Sequence, residues 1–368
     1  MSLDLSGVVF ITGAGGAVGR ATALRFAHHG AKKIAGLDIN PTALDGTASA
    51  LNAVNPDVEF LAITADLTSE EAVASAIETV VSKFGAIHYA INNAGVGQLL
   101  LPTGETETKD FDRVMSINFK GVWVCEKYEL EQMIKQEPRT ISSSGSISER
   151  GAIINVSSVL GYMAMPNLGI YNSSKHAILG LMRSDALDYA RKGIRVNAVC
   201  PGFIDTPLLL EETRKALRTT IDRIPQGRLA LPEEVADSIC FLASGLASHV
   251  TGVALPVDGG FTAVRHCMAA NGYFMKGNTL ELNAITLMPT RVLPFNLPLE
   301  EHIELPIYAP ASEVEQGESS NVVVSCSKFR ITIILIMCFL SVFVVAFDNI
   351  IVVIVILIIT LELYSLSG

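Results

Sequence analysis

The segment VVFITGAGGAVGRATAL, residues 8–24, decides the fold expected of this chain. A short apolar run leads into a glycine-rich turn, and an amphipathic pattern follows directly. Gly13, Gly15 and Gly16 permit positive φ angles and let a pyrophosphate approach the backbone amides. A helix beginning near Ala17 would present its partially positive N-terminus to the same phosphate. This order predicts a dinucleotide site, although an ordinary tight turn between a strand and a helix would show the same pattern.

Short apolar runs alternate with longer amphipathic stretches over residues 7–265. Six runs are predicted to be buried strands, because they are rich in branched residues and bounded by Gly, Asp or Asn: GVVFITG, KIAGLDI, VEFLAITA, IHYAINNAG, GAIINVSS and IRVNAVCPG. One helix is predicted to open at Thr68-Ser69 and close at Gly85. The alternation indicates an α/β fold, a Rossmann-type doubly wound parallel sheet with helices on both faces. Ligands of such sheets bind beyond the carboxyl ends of the strands.

The second predicted strand ends in GLDIN, which places Asp38 at the edge of the sheet where ligands bind. A carboxylate there can accept hydrogen bonds from an adenosine ribose and repel a 2′-phosphate. No Arg or Lys follows directly to bind such a phosphate. The expected cofactor is therefore NAD, with NADP possible. A turn or capping role for Asp38 is the simpler alternative.

The motif YNSSK places Tyr171 and Lys175 four residues apart at the start of a predicted helix, hence on one face. Free tyrosine has a pKa of about 10, and a neighbouring ammonium lowers that value by stabilising the phenolate. Ser158 ends a predicted strand and can face the same cleft, where its hydroxyl could hold a substrate oxygen. Taken singly, Tyr171 could be a packing residue and Ser158 a turn residue.

Over roughly residues 5–265 the sequence resembles the short-chain dehydrogenase/reductase family. The resemblance rests on Ser158 and on motifs in the expected order: TGAGGAVG, ADL at 65–67, NNAG at 92–95, SIN at 116–118, YNSSK, NAVCPGFIDT at 197–206 and VTGVALPVDGG at 250–260. It implies hydride transfer between NAD(P) and a small-molecule secondary alcohol or ketone. Alternatives are a non-catalytic nucleotide-binding protein on the same fold and an NADPH-dependent ketoreductase of secondary metabolism.

The resemblance implies a role for each residue of a catalytic set. Tyr171 would be the general acid/base, and Lys175 would lower its pKa and bind the nicotinamide ribose. Ser158 would orient the substrate oxygen. Asn118 would hold a proton-relay water near Lys175.

The resemblance also implies the cofactor contacts. Asp66 should contact adenine, Asn93 and Gly95 should flank the adenosine, and Ile204 and Thr206 should receive the nicotinamide carboxamide. The full expected set is Gly13, Gly15, Gly16, Ala17, Val18, Gly19, Asp38, Asp66, Leu67, Asn93, Ala94, Gly95, Tyr171, Lys175, Pro201, Gly202, Ile204 and Thr206. Alanine at position 17 replaces a glycine that is usual in the family. Being small and at the helix start with ordinary φ, it should be tolerated.

Composition argues against several other classes of protein. The net charge of −10 and the lack of a basic patch argue against a nucleic-acid partner. Six scattered cysteines without a CxxC pair argue against a disulfide framework or a metal site and fit a reducing compartment. The N-terminus MSLDLSGVVF lacks the features of a signal peptide.

The chain changes character after residue 265. We expect an enzyme domain at 1–265, a loosely ordered linker at 266–327, a transmembrane helix at 328–361 and a short tail at 362–368. Residues 331–361 contain a single charge, that of Asp348. Lys328 and Arg330 precede this run, which predicts a single-pass membrane protein, spanning within 331–358, with the enzyme domain in the cytoplasm.

The C-terminal segment is also similar to the start of a major facilitator superfamily transporter, whose first membrane helix carries a comparable DN-I-I motif. One span cannot form a transporter, so the segment is expected to record a fusion of two adjacent genes; the domain would then be cytoplasmic. The alternatives are a genuine tail anchor and a hydrophobic C-terminal helix of a soluble dimer.

Two further segments interrupt the alternation of strands and helices. Residues 136–151 are polar and Ser-rich and are expected to form a surface loop. Residues 207–230 resemble the family's mobile substrate loop, with a surface helix packed on the core as the alternative. Family resemblance also implies a homo-oligomer paired through two long helices.

Overall fold

The computed structural model describes residues 3–141, 147–206 and 221–263, together with the backbone of a short hairpin, Phe274–Lys276 and Thr279–Glu281. The strands before the hairpin are β1 Val8–Thr12, β2 Lys33–Asp38, β3 Glu59–Thr64, β4 Tyr89–Asn92, β5 Arg139–Thr140, β6 Ser148–Glu149, β7 Gly151–Val156, β8 Ile194–Pro201 and β9 Ala254–Val257. The described helices are α1 Ala17–His28, α2 Pro41–Val54, α3 Glu70–Phe84, α4 Thr108–Met115, α5 Gly121–Lys135, α6 Gly169–Tyr189 and α7 Pro232–Ala243.

Seven strands form one parallel sheet in the order β3-β2-β1-β4-β7-β8-β9. The six predicted strands are confirmed, and β9 from the closing VTGVALPVDGG motif adds the seventh. The sheet order reverses beside β1, because β2 lies on one side of it and β4 on the other. A crevice forms at such a switch point beyond the strand ends, which is where the predicted ligand site lies.

Helices cover both faces of the sheet, as the sequence predicted. One apolar cluster packs α1, α2 and α7 against the sheet, with Phe26 and Ile239 among its fully buried residues. The opposite cluster packs α3, α5 and α6, with Val80 and Met182 fully buried. Strands covered on both sides need apolar residues on both faces, which explains their unbroken hydrophobic runs.

The boundaries of α3 agree with the sequence signals. Ser69 is the N-cap, and its hydroxyl accepts a hydrogen bond of 3.2 Å from the Ala72 N–H. Gly85 ends the helix with a φ of 89°, which a residue with a side chain rarely adopts.

The expectation of a simple surface loop at 136–151 is wrong at its two ends, where β5 and β6 pair as an antiparallel hairpin. Glu149 in β6 is buried and accepts a 2.9 Å hydrogen bond from Arg195 of β8. The Arg195 guanidinium also donates to the carbonyls of Leu242 and Ala243 at the end of α7. A buried charge needs a partner of this kind, and this one lies far away in sequence.

A buried polar network lies between α5 and the sheet. Asn92 donates to Glu129 at 3.0 Å and to Asn155 at 3.1 Å, and Asn155 donates to Glu126 at 2.9 Å. Burial raises the pKa of Glu129 to about 8 and raises that of Glu126 well above its ordinary range. Glu129 is therefore mostly protonated at neutral pH.

No helix within the described residues is long and apolar enough to cross a membrane. The predicted span at 331–358, the preceding linker beyond its hairpin, and residues 207–220 of the predicted substrate loop lie outside those residues.

Candidate active site

The glycine turn between β1 and α1 is tight for two different reasons. Gly13 has a φ of +66°, and a Cβ there would lie 2.9 Å from the Ala94 Cα. Gly15 and Gly16 do not have positive φ, contrary to one reason for expecting glycine there. Gly15 is needed instead for space, since a Cβ would lie 2.5 Å from the Ala43 Cβ.

Helix α1 begins at Ala17, as predicted, with Gly16 as an N-cap that offers no side-chain hydrogen bond. Its first N–H groups therefore keep the capacity to bind an anion. A Cβ at Gly19 would lie 2.2 Å from the Gly13 carbonyl oxygen, so this glycine lets the helix approach the turn. Ala17 has no positive φ and is tolerated at the first helical position.

Asp38 ends β2 beside this turn. Its carboxylate accepts hydrogen bonds from the Gly15 N–H at 2.9 Å and from the Asn40 N–H at 3.0 Å. Asp38 therefore does stabilise the turn, which was the simpler alternative. The same hydrogen bonds hold its carboxylate at the edge of the sheet where the adenosine ribose was expected.

The predicted adenine contacts lie after β3. Asp66 is exposed, and its carboxylate accepts a 2.9 Å hydrogen bond from the Thr68 N–H. The side chain of Leu67 is buried in the core, close to Gly121. A cofactor contact from Leu67 would therefore have to come from its backbone.

Asn93 connects β4 to the glycine turn. Its side-chain amide donates to the carbonyls of Thr12 and Gly13 at 3.0 and 3.1 Å. The N–H groups of Asn93 and Ala94 both donate to the Thr12 hydroxyl at 3.1 Å. Sequence reasoning did not single out Thr12, although the TG pair that opens the turn was a signal for it.

Gly95 lines the same cleft as Asn93 and Val18. A Cβ there would lie 3.4 Å from Asn118 Oδ1 and 3.5 Å from Lys175 Nζ, so Gly95 adjoins the catalytic set. Because Gly95 has no side chain, the space beside Asn118 and Lys175 stays open.

Asn118 sits in a π-helical turn, Ser116–Lys120, between α4 and α5 and is fully buried. Its Oδ1 accepts from the Val96 N–H at 2.8 Å, and its Nδ2 donates to the Val96 carbonyl at 2.9 Å. Such π turns are frequent at functional sites. These two bonds fix the loop after β4 beside Lys175.

Tyr171 and Lys175 lie one turn apart on α6, and the Lys175 Nζ is 5.7 Å from the centre of the Tyr171 ring. The ammonium donates a 3.0 Å hydrogen bond to the Val156 carbonyl at the end of β7. Burial lowers the pKa of Lys175 to about 8. The helical spacing therefore brings both side chains into the cleft, as predicted.

Ser158 follows β7, is largely buried, and forms a hydrogen bond with Tyr171. Its Oγ also accepts from the Leu160 N–H at 3.1 Å, so its turn role is real as well. The expected lowering of the Tyr171 pKa is not found. Burial raises the pKa of this phenol, and the hydrogen bond with Ser158 opposes the rise.

Three of the four catalytic candidates, Ser158, Tyr171 and Lys175, line one cleft of about 390 Å³. Asn118 is fully buried and is not among the lining residues. The lining of the cleft runs from the start of α1 to the end of β8: Val18, Asn93, Gly95, Val96, Gly97, Gln98, Val156, Ser157, Ser158, Leu168, Tyr171, Lys175, Pro201, Gly202 and Ile204. The structure thus brings together Val18, Pro201, Gly202 and Ile204 from distant motifs. Thr206 is not among the lining residues.

Gln98 is a cleft residue that sequence reasoning missed. Its Oε1 accepts a 2.6 Å hydrogen bond from the backbone N–H of Tyr171. No motif marked Gln98, because it lies in the irregular loop after NNAG and meets α6 only in the folded chain.

The site fits a dinucleotide on structural grounds. The uncapped N-terminus of α1 can bind a pyrophosphate, the Asp38 carboxylate adjoins it, and the cleft continues from Val18 to Lys175. The fit supports the expectation of NAD(P) at this edge of the sheet.

Comparison with known proteins supports this assignment. Residues 13–262 match the protein family described as Enoyl-(Acyl carrier protein) reductase. The short-chain dehydrogenase fogB of Aspergillus ruber is 41% identical over 268 residues, covering 71% of this chain and 98% of that protein.

Two solved structures resemble the fold closely. A levodione reductase superposes with a TM-score of 0.64 at 35% identity, covering 70% of this chain and 98% of its own. An NAD⁺-bound xylitol dehydrogenase gives a TM-score of 0.63 at 34% identity, with coverage of 69% and 98%. These similarities confirm the predicted class of reaction, hydride transfer between NAD(P) and an alcohol or ketone. The chain belongs to the short-chain dehydrogenase/reductase family and is an NAD(P)-dependent oxidoreductase.

Proposed function

We propose that this protein is an NAD-dependent dehydrogenase or reductase of a secondary alcohol or ketone, with Tyr171 as general acid/base. The observation that carries the proposal is the convergence of Ser158, Tyr171 and Lys175 on one cleft. Tyr171 forms a hydrogen bond with Ser158, and Lys175 lies one helical turn away.

The chain's own residues supply binding and proton transfer. When bound, the nicotinamide ring supplies or accepts the hydride. Ser158 holds the substrate oxygen, and Tyr171 donates or accepts its proton. Because burial raises the pKa of Tyr171, the phenol is protonated at neutral pH, which is the form that donates in ketone reduction. Alcohol oxidation needs the phenolate, which the Lys175 ammonium favours below its own pKa of about 8.

The preference for NAD rests on Asp38. Its carboxylate is held at the glycine turn by the Gly15 N–H, where it would accept hydrogen bonds from the ribose diol and repel a 2′-phosphate. The similar xylitol dehydrogenase was solved with NAD⁺ bound, which supports the same choice here.

The remaining proposals concern assembly and location. Trp123 and Ile134 on α5 are 44% and 42% exposed, and Leu187 on α6 is 83% exposed, which supports pairing of two copies through these helices. Attachment to a membrane through 331–358 rests on composition alone.

The purified chain should turn over secondary alcohols with NAD, or ketones with NADH, across a panel of small substrates. Tyr171→Phe should lower turnover by roughly two to four decades while retaining NAD binding, because only the phenol oxygen exchanges the proton. Near-normal turnover of Tyr171→Phe would overturn the proposed mechanism. Higher kcat/KM with NADP would instead favour the ketoreductase alternative.

A further inference from the structure

Helix α6 carries Tyr171 and Lys175 but does not cap its own N-terminus. The first four N–H groups of a helix have no partner within it, and an N-cap side chain usually accepts from the second or third of them. The N-cap of α6 is Leu168, whose side chain makes no such hydrogen bond. A leucine offers no acceptor, so the cap must come from elsewhere.

Gln98 provides that missing hydrogen bond from another loop. Helix α6 begins at Gly169, so Tyr171 is its third residue, and its N–H donates to Gln98 Oε1 at 2.6 Å. Gln98 Nε2 donates in turn to the Asn167 carbonyl at 3.3 Å. The Gln98 side chain therefore forms hydrogen bonds with the backbone on both sides of the first residue of α6.

The backbone at this helix start is itself unusual. Asn167 has a φ of +63°, in the left-handed region that residues with side chains adopt rarely. Its carbonyl also accepts from the Leu101 N–H at 3.1 Å, from the same loop as Gln98. These bonds hold the entry to α6 in one conformation.

The loop that carries Gln98 is anchored beside Lys175. Two residues before Gln98, the backbone of Val96 is paired twice with the buried Asn118 side chain. Gln98 thus links a rigid loop beside Lys175 to the backbone of Tyr171.

We propose that Gln98 is a positioning residue, which caps α6 from the loop after β4 and thereby sets the place of the Tyr171 phenol beside Ser158. The proposal rests on the proposed function of Tyr171. A displacement of about 1 Å in a reacting group can lower a rate by about a hundredfold. Loss of the Gln98 acceptor should therefore affect turnover more than folding.

The test compares four variants of the full chain at a temperature where each is folded. Gln98→Met keeps the length of the side chain and removes its amide, and it should lower kcat about ten- to hundredfold. Its dissociation constant for NAD should stay within about twofold, because Gln98 acts through Tyr171. Gln98→Glu retains an acceptor for the Tyr171 N–H and should recover most of the lost kcat.

Ser69→Ala is the matched control, since it removes the cap hydrogen bond of α3 far along the chain from Tyr171. It should lower Tm without lowering the kcat of the folded enzyme. The proposal is overturned if Gln98→Met keeps kcat within twofold, if Gln98→Glu recovers nothing, or if Ser69→Ala loses as much kcat. Tyr171→Phe in the same assay distinguishes failure of the Gln98 proposal from failure of the proposed function of Tyr171. If Gln98→Met is active and Tyr171→Phe is inactive, only the role of Gln98 is overturned.

Discussion

Asp38 Oδ2 accepts a 2.9 Å hydrogen bond from the Gly15 N–H, which joins the end of β2 to the glycine turn after β1. The same carboxylate that would select the cofactor also supports the turn that would hold its phosphates. Replacements of Asp38 therefore have to separate a change in charge from a loss of the hydrogen bond.

Asp38→Ser is expected to reduce the preference for NAD over NADP, because the carboxylate that binds the ribose diol and repels a 2′-phosphate is gone. The measurement is the ratio of kcat/KM for the two cofactors. Asp38→Asn is the control, since its amide oxygen can still accept from Gly15 while the charge is absent. Both variants should shift the ratio toward NADP, and an unmodified protein that already prefers NADP contradicts the role of Asp38.

Lys175→Met should lower kcat for alcohol oxidation at neutral pH and move the pH profile to higher pH. Burial raises the pKa of the Tyr171 phenol, and below the Lys175 pKa of about 8 the neighbouring ammonium opposes that rise. Without the ammonium the phenol ionises only at more alkaline pH. The measurement is kcat against pH with saturating alcohol and NAD. An unchanged profile with unchanged kcat would show that Lys175 does not act on the phenol.

Glu129→Gln should remove a loss of stability that accompanies rising pH. The native pKa of Glu129 is raised by burial to about 8 from an ordinary 4.5, so the unfolded chain releases this proton first. Its stabilising contribution is complete below pH 4.5 and is lost as pH rises to 8. As pH rises across this window, the free energy of unfolding of the variant should increase by on the order of 4 kcal/mol relative to that of the unmodified protein.

Denaturant unfolding at several pH values measures this difference. Glu131→Gln is the matched control, because Glu131 is exposed on the same helix. Parallel curves for the unmodified protein and Glu129→Gln would show that this carboxyl titrates normally.

His88→Asn should remove a loss of stability that accompanies falling pH. His88 Nδ1 accepts a 3.0 Å hydrogen bond from the Val8 N–H, and burial lowers the pKa of this imidazole to about 4. Between pH 6.5 and 4, His88 binds a proton in the unfolded chain but not in the native state. Stability therefore falls as pH falls. Allowing for partial exposure, the expected effect is about 1–2 kcal/mol.

The measurement is the free energy of unfolding at pH 7 and at pH 4.5. Asn can still accept from Val8 but does not titrate, so its stability should depend less on pH. His28→Asn, at an exposed position, serves as control and should leave the acid dependence unchanged.

Residues 1–265 alone are expected to be soluble and fully active, and the complete chain is expected to enter membranes within 331–358. Each central Leu, Ile, Val or Phe favours insertion by about 0.3–0.6 kcal/mol, and one central Asp opposes it by about 3 kcal/mol. Carbonate extraction of the complete chain and assay of the shorter one measure both expectations. Release by carbonate would show that no span exists, and an inactive 1–265 would show that the tail belongs to the fold.

Local patterns in the sequence predicted much of the fold. Strand runs, the cap at Ser69, the turn at Gly85 and the start of α1 at Ala17 all depend on neighbours a few residues away. The same locality placed Tyr171 and Lys175 on one face of α6, because their spacing is one helical turn.

The sequence by itself therefore determined the sheet, the glycine turn and the identities of the catalytic candidates, since these follow from short-range periodicity and a motif set. Only the tertiary structure decided that Gln98 caps the helix of Tyr171, that Glu149 pairs with Arg195, and that burial raises the pKa of the phenol. Each of these depends on residues that the order of the strands brings together across tens of positions. Burial and hydrogen-bond partners at such distances are properties of the packed chain, and no local pattern encodes them.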